Sequence, residues 1–142
     1  MRTLFLVCGL VFASLALAAA KDVRVFIAPR SALVADSGKV VFDVYWFNSA
    51  EKPRAIPNLA SYSLSQEICS RSGKTLPRLV GGVQTVDHRS ADRTIRGRTM
   101  LHDQIVAEVQ ITADEFAEIS AEFWGIRCGT FKSNTVILTK AR

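Results

Sequence analysis

Alternation of apolar and polar side chains recurs along most of the chain, and it predicts strands. In residues 22–28, DVRVFIA, Val23, Val25 and Ile27 share one side while Asp22, Arg24 and Phe26 share the other, and Pro29 ends the run. A turn at Asp36-Ser37-Gly38 leads into KVVFDVYWFN. Here Val40, Phe42, Val44 and Trp46 form one face and Val41, Asp43, Tyr45 and Phe47 the other. Two largely apolar faces fit a central strand covered on both sides, or a strand whose second aromatic face supports a partner contact. The polar run 48–53 closes this strand, and Pro53 and Pro57 keep the following connection out of regular ladders.

LASYSLSQEIC predicts another strand, with Tyr62, Leu64 and Ile68 on its buried side and Gln66 interrupting it. Gly81-Gly82 suits a hairpin. QIVAEVQIT, 104–112, resumes the alternation with Ile105, Ala107, Val109 and Ile111 facing inward. Thr112 and Glu115 have the spacing of a capping box, which predicts a short helix over 113–119 with Phe116 and Ile119 on its inner side. The remainder reads as a hairpin: one strand through Phe123 to Cys128, with Trp124, Ile126 and Cys128 on one face, a turn near 132–134, and a last strand through Leu138.

The N-terminus breaks this pattern. Arg2, an apolar run from Leu4 to Leu17 and then small residues have the layout of a secretory signal, with cleavage expected after Ala20. The expected organisation is a signal peptide over 1–20 and one domain over 21–142, secreted or periplasmic. The apolar run is shorter than the roughly 20 residues that span a bilayer, and Cys8 leaves with it. Removing Arg2 lowers the formal net charge from +5 to +4, a modest excess that favours an acidic partner without requiring one.

Cys69 and Cys128 then remain in an oxidising compartment, and an intramolecular disulfide is expected, worth about 4 kcal/mol on the loop-entropy model. Two buried thiols on different strands are the alternative. Two cysteines without close histidines do not make a closed zinc shell.

SGKT at 72–75 resembles the end of a phosphate-binding loop, but Ile68 stands where the first glycine belongs and Pro77 follows Thr75. It is read as a turn. His88 and His102 each adjoin an aspartate, Asp87 and Asp103, yet sequence neighbours on a strand face opposite ways, so neither pair is a preformed metal or acid–base site. No serine sits in a nucleophile elbow. Asp114, Glu115, Glu118 and Glu122 have an electrostatic reason to crowd a helix N-terminus. No cofactor and no enzymatic activity are expected. Arg89, Arg93, Arg96 and Arg98 form the candidate anion-binding group, since arginine engages phosphate, sulfate or carboxylate bidentately; the bland reading is a solvated, edge-protecting loop.

GKVVFDVYWFNSAEKPRAIP resembles the early strand and following turn of bacterial immunoglobulin-like domains, and FWGIRCGTFKSNTVILT resembles their closing hairpin. The resemblance implies an all-β, immunoglobulin-like antiparallel β-sandwich, here with one short helix, and a binding or scaffolding role. The expected function is an exported noncatalytic module that binds another envelope or extracellular protein. The alternative is a binder of anionic envelope polymers or lipid head groups through the arginines. Export disfavours nucleic acid, and no stable membrane insertion is expected after cleavage.

Overall fold

The structure, a computed structural model, describes residues 22–74, 80, 81 and 91–141. The expected signal segment with Cys8, His88, Arg89 and the second half of the Gly81-Gly82 pair lie outside the described residues.

The described chain is almost wholly β. Its strands are β1 (Val23–Pro29), β2 (Leu33–Val34), β3 (Lys39–Asn48), β4 (Arg54–Ile56), β5 (Tyr62–Ser70), β6 (Val80–Gly81), β7 (Arg93–Ile95), β8 (Thr99–Glu108), β9 (Glu115–Gly125), β10 (Gly129–Lys132) and β11 (Val136–Lys140). One sheet has three strands in the order β1-β3-β8; a second runs β2-β11-β9-β5-β6, with β10 also against β9; β4 and β7 form a small ribbon. Neighbours are antiparallel except β2 and β11, which run parallel.

Alternation sends one side of each long strand into a common core. Val23, Val25 and Ile27 of β1, Val40, Phe42, Val44 and Trp46 of β3, and Ile105 and Ala107 of β8 are buried, each set sharing one side as period-2 alternation groups it, and of these Ile105 and Ala107 are inward as expected. They meet Tyr62 and Leu64 of β5 and Ala117, Ile119, Ala121 and Phe123 of β9. Trp46 joins the two sheets, its ring edge-on to Phe123 at 5.0 Å and to Phe131 at 5.7 Å between centroids. Gly38 closes the turn before β3 with φ +67, and an added Cβ there would lie 2.9 Å from the Val109 carbonyl oxygen.

Three expectations are corrected. No helix forms at 113–119. The reach-back of the capping box is present, with Thr112 N–H donating to Glu115 Oε2 at 3.0 Å, but it closes a turn from which β9 departs. Ala117, Ile119, Ala121 and Phe123 bury at period 2 against the long partner β5, and this tertiary pairing overrides the local cap. Phe116 accordingly sits on the outer side of β9.

The last hairpin is also displaced. Its turn is at 126–128, and the return strand is interrupted at 133–135 between β10 and β11. Phe123, not Trp124, is the core residue, and Ile126 is 80% exposed in the turn.

The disulfide does not form. Cys69 is paired with Phe116 at the beginning of β9, whereas Cys128 follows the far end of that strand. At about 3.3 Å per residue this separates them by roughly 30 Å, far beyond the roughly 7 Å between Cα atoms that a bridge tolerates. Cys128 is instead a buried thiol, pushed up to about 12 by burial and then by the neighbouring Asp92 carboxylate. Asp92 accepts from the Ile126 and Arg127 backbone N–H groups at 3.1 and 2.7 Å, holding the turn.

Candidate functional site

The outward side of β1-β3-β8 is built by the same alternation that fills the core. On it, register sets Phe26 of β1 beside Tyr45 of β3 and His102 of β8, and in the next row Arg24 beside Phe47 and Met100. Ala28, Asp43 and Gln104 form a third row. Among the described residues seven large apolar side chains are exposed, and four of them, Phe26, Phe47, Met100 and Val106, share this face, so it is a patch rather than a scatter. By contrast β5 and β9 turn Ser63, Ser65, Glu67, Glu118, Ser120 and Glu122 outward on the other sheet.

A polar network borders the aromatic rows. Asp43 accepts from Gln104 Nε2 at 3.1 Å, from Arg30 Nε and Nη2 at 3.3 Å each, and its Oδ1 is 2.8 Å from His102 Nε2. The His102 ring stacks on Tyr45, with centroids 5.0 Å apart and planes at 24°. The carboxylate thus fixes the imidazole, and the imidazole fixes the phenol ring. Of the aromatic rows, it is Tyr45 and His102 that this network holds in place.

These hydrogen bonds, first that of His102 and then those of Arg30, hold the Asp43 carboxyl below its ordinary 3.8. A carboxyl depressed in the folded state stabilises the fold above its unfolded pKa, and that contribution is lost as pH falls through the folded value. In a carbon-detected NMR titration, the Asp43 midpoint should lie below 3.8 and move back toward it in His102→Ala. A midpoint at or above 3.8 in the unaltered protein would contradict the network.

The sequence-derived candidates are distributed differently. Arg93 donates to Asp103 through Nη1 at 3.0 Å and Nη2 at 2.7 Å, and through Nε to the Pro57 carbonyl at 3.3 Å, so its guanidinium ties β7 to β8. Arg98 is engaged by Glu51 at 2.5 Å on the surface. Arg96 is exposed. Two of the three described arginines therefore already hold a carboxylate. His102 turns to Asp43, while its sequence neighbour Asp103 lies on the opposite face with Arg93, as strand geometry requires. Among the described residues no cluster of three or more His, Cys, Asp or Glu side chains is placed to hold a metal ion.

The partnership of His102 with Asp43 was not readable, because it joins residues 59 positions apart. Met100 gave no signal either, standing in a polar stretch. Phe26 did leave one: it is an aromatic residue on the polar side of an alternating run.

No protein-family model matches the chain, and no curated protein matches it. Among solved structures it is similar to Pseudomonas fluorescens alkylpurine DNA glycosylase AlkC bound to DNA containing an abasic site analog, with a TM-score of 0.44 and 7% identity. That alignment covers 84% of this chain but 31% of the other, so the chain spans about a third of that protein's length. A likeness at this level carries no argument about function.

Proposed function

We propose that this chain is an exported, noncatalytic protein-binding module with an immunoglobulin-like sandwich, and that the outer face of β1-β3-β8 is its docking surface. The strand order supports the architecture. Immunoglobulin-like domains keep their first, second, fourth and fifth strands in one sheet and their third, sixth and seventh in the other, and among the described residues the sheet here has counterparts of the first, second and fifth but not of the fourth. Here β1, β3 and β8 share one sheet while β5, β9 and β11 share the other.

The observation that carries the functional reading is the pair of adjacent rows in which exposed Phe26, Phe47 and Met100 surround half-buried Tyr45. Aromatic and methionine side chains are enriched in the central part of protein interfaces, where charge is depleted. Their exposure is otherwise a liability for solubility. The arginine alternative has weaker support, since Arg93 and Arg98 are engaged by Asp103 and Glu51.

The test is affinity capture from native envelope extract with the exported protein at low and high salt. Phe47→Ser combined with Met100→Ser should reduce capture of the partner by more than about tenfold, the loss typical of central interface residues. Stability should change by no more than about 0.5 kcal/mol per substitution, because both side chains are exposed. Changing Arg93, Arg96 and Arg98 to serine should leave salt-insensitive capture intact. Capture that disappears with salt and with the arginines, but survives the Phe47 and Met100 changes, would establish the polyanion reading instead.

A further inference from the structure

A second surface lies between the two sheets, along the β1 edge where the outer-face rows end in Arg24 and Phe26. Strand β1 is an edge of its sheet, and backbone parity along it is determined at three points. Asp22 C=O accepts from Ser49 N–H at 2.8 Å, and Arg30 N–H donates to Val41 C=O at 2.9 Å. Residues of that parity, Arg24, Phe26 and Ala28, bond to β3. Those of the other parity, Val23, Val25 and Ile27, turn their N–H and C=O groups away from it. Ile27 confirms this, because its N–H donates to Asn134 Oδ1 at 2.8 Å and its C=O accepts from Asn134 Nδ2 at 3.1 Å.

Strand β10 faces this edge from the other sheet. Ser133 N–H donates to Ala121 C=O at 2.9 Å, so Phe131 and Gly129 share its parity and bond β9, while Thr130 and Lys132 present their backbone groups outward. Between the two edges runs an open groove of about 420 Å³, lined by residues 23–26 and 130–134. Buried Val23, Val25 and Phe131 underlie it. Among the described residues that line it, the charged ones are Arg24 and Lys132, both basic and both exposed.

We propose that this groove accepts an acidic peptide segment in extended conformation, added as a strand against β1. Among the described residues, the outward backbone groups of Val23 and Val25 have no ladder partner, and an added strand would supply one. The Asn134 carboxamide already pairs with Ile27 as a peptide group would, and so closes one end of the slot. A strand's side chains alternate. Apolar ones would point toward Val25 and Phe131, while acidic ones would lie outward near Arg24 and Lys132. Charge complementarity selects an acidic occupant over a basic one. The groove shares Arg24 and Phe26 with the outer face, but the backbone pairing proposed here does not rest on the docking role assigned there.

The experiment uses the exported protein and two short capped peptides, one alternating glutamate with valine and one alternating lysine with valine, followed by amide-resolved NMR. The glutamate peptide should shift the amides of Val23, Val25, Thr130 and Lys132 and slow exchange at Val23 and Val25. Arg24→Glu combined with Lys132→Glu, both surface changes, should weaken that binding roughly tenfold and strengthen binding of the lysine peptide. The proposal is overturned if the glutamate peptide leaves Val23 and Val25 unprotected, or if its shifts centre on Phe47 and Met100. Charge reversal without a change in preference would overturn it too. So would protection of the same amides by self-association in the absence of peptide.

Discussion

Trp46→Ala should lower the unfolding free energy by about 3–5 kcal/mol, the cost of emptying a buried aromatic site. Trp46 is wholly inaccessible and forms the contact through which β3 meets both Phe123 of β9 and Phe131 of β10. Truncation therefore leaves a void where the two sheets meet, rather than in a margin that can collapse. A domain of this size has roughly 5–15 kcal/mol in total, so the variant approaches the limit of folding. Urea unfolding followed by circular dichroism should show a lower midpoint at an unchanged slope. Trp46→Phe should cost much less, about 1–2 kcal/mol, because the indole Nε1 is buried with no hydrogen-bond partner among the described residues and its removal deletes a desolvated donor. Equal losses for alanine and phenylalanine would show that the site is not packed around ring area.

The second large effect is expected at Gly97, and its cause is space rather than backbone freedom. A Cβ on Gly97 would stand 1.8 Å from the Glu51 carbonyl oxygen and 2.3 Å from its carbon, both main-chain atoms that no rotamer change can move. The joint is rigid on the other side as well. Arg98 N–H donates to Ala50 C=O at 2.8 Å, and Asn48, fully buried, donates to the carbonyls of Lys52 and Arg96 at 3.0 and 3.1 Å while accepting from Ala50 N–H at 3.0 Å. Gly97→Ala must push the loop after β3 off these bonds, and should cost about 3 kcal/mol, the upper part of the range for overpacking. Gly73→Ala is the control. It has φ +70 but nothing within 4 Å of an added Cβ, so it should cost only the roughly 1–2 kcal/mol of a left-handed conformation. Thermal melts of the two variants separate the causes, and a Gly97→Ala loss no greater than that of Gly73→Ala would refute the steric account.

Much of the β architecture was readable, for a reason the strands themselves show. Val23, Val25 and Ile27, the inner face of β3, and Ile105 with Ala107 repeat every second residue, and that period survives any choice of neighbour. What failed required knowledge of the neighbour. Thr112 and Glu115 carry a helix-start signal, and only the pairing of β9 with β5 shows that the same side-chain bond serves a turn. The cysteines invited a bridge by their number, but β9 lies lengthwise between them. The two faces of β3 were separable from sequence, yet which one water reaches depends on what lies over the sheet. That question decided the candidate site, because Tyr45 and Phe47 are half-exposed or exposed while Trp46 is not. The arginines looked alike in sequence, and the fold distinguished them by giving Arg93 to Asp103 and Arg98 to Glu51.

The parallel contact of β2 with β11 has a mechanical consequence. Leu33 and Val34 lie beside Thr139 and Lys140, with Thr139 N–H bonded to Ala32 C=O and Ala141 N–H to Val34 C=O, each at 2.9 Å. If the chain were stretched between its ends, force would run along these two segments in opposite senses. Their bonds would be loaded together in shear instead of opening one after another like a zipper, so this contact would resist extension more than an antiparallel end-to-end peel of the same length.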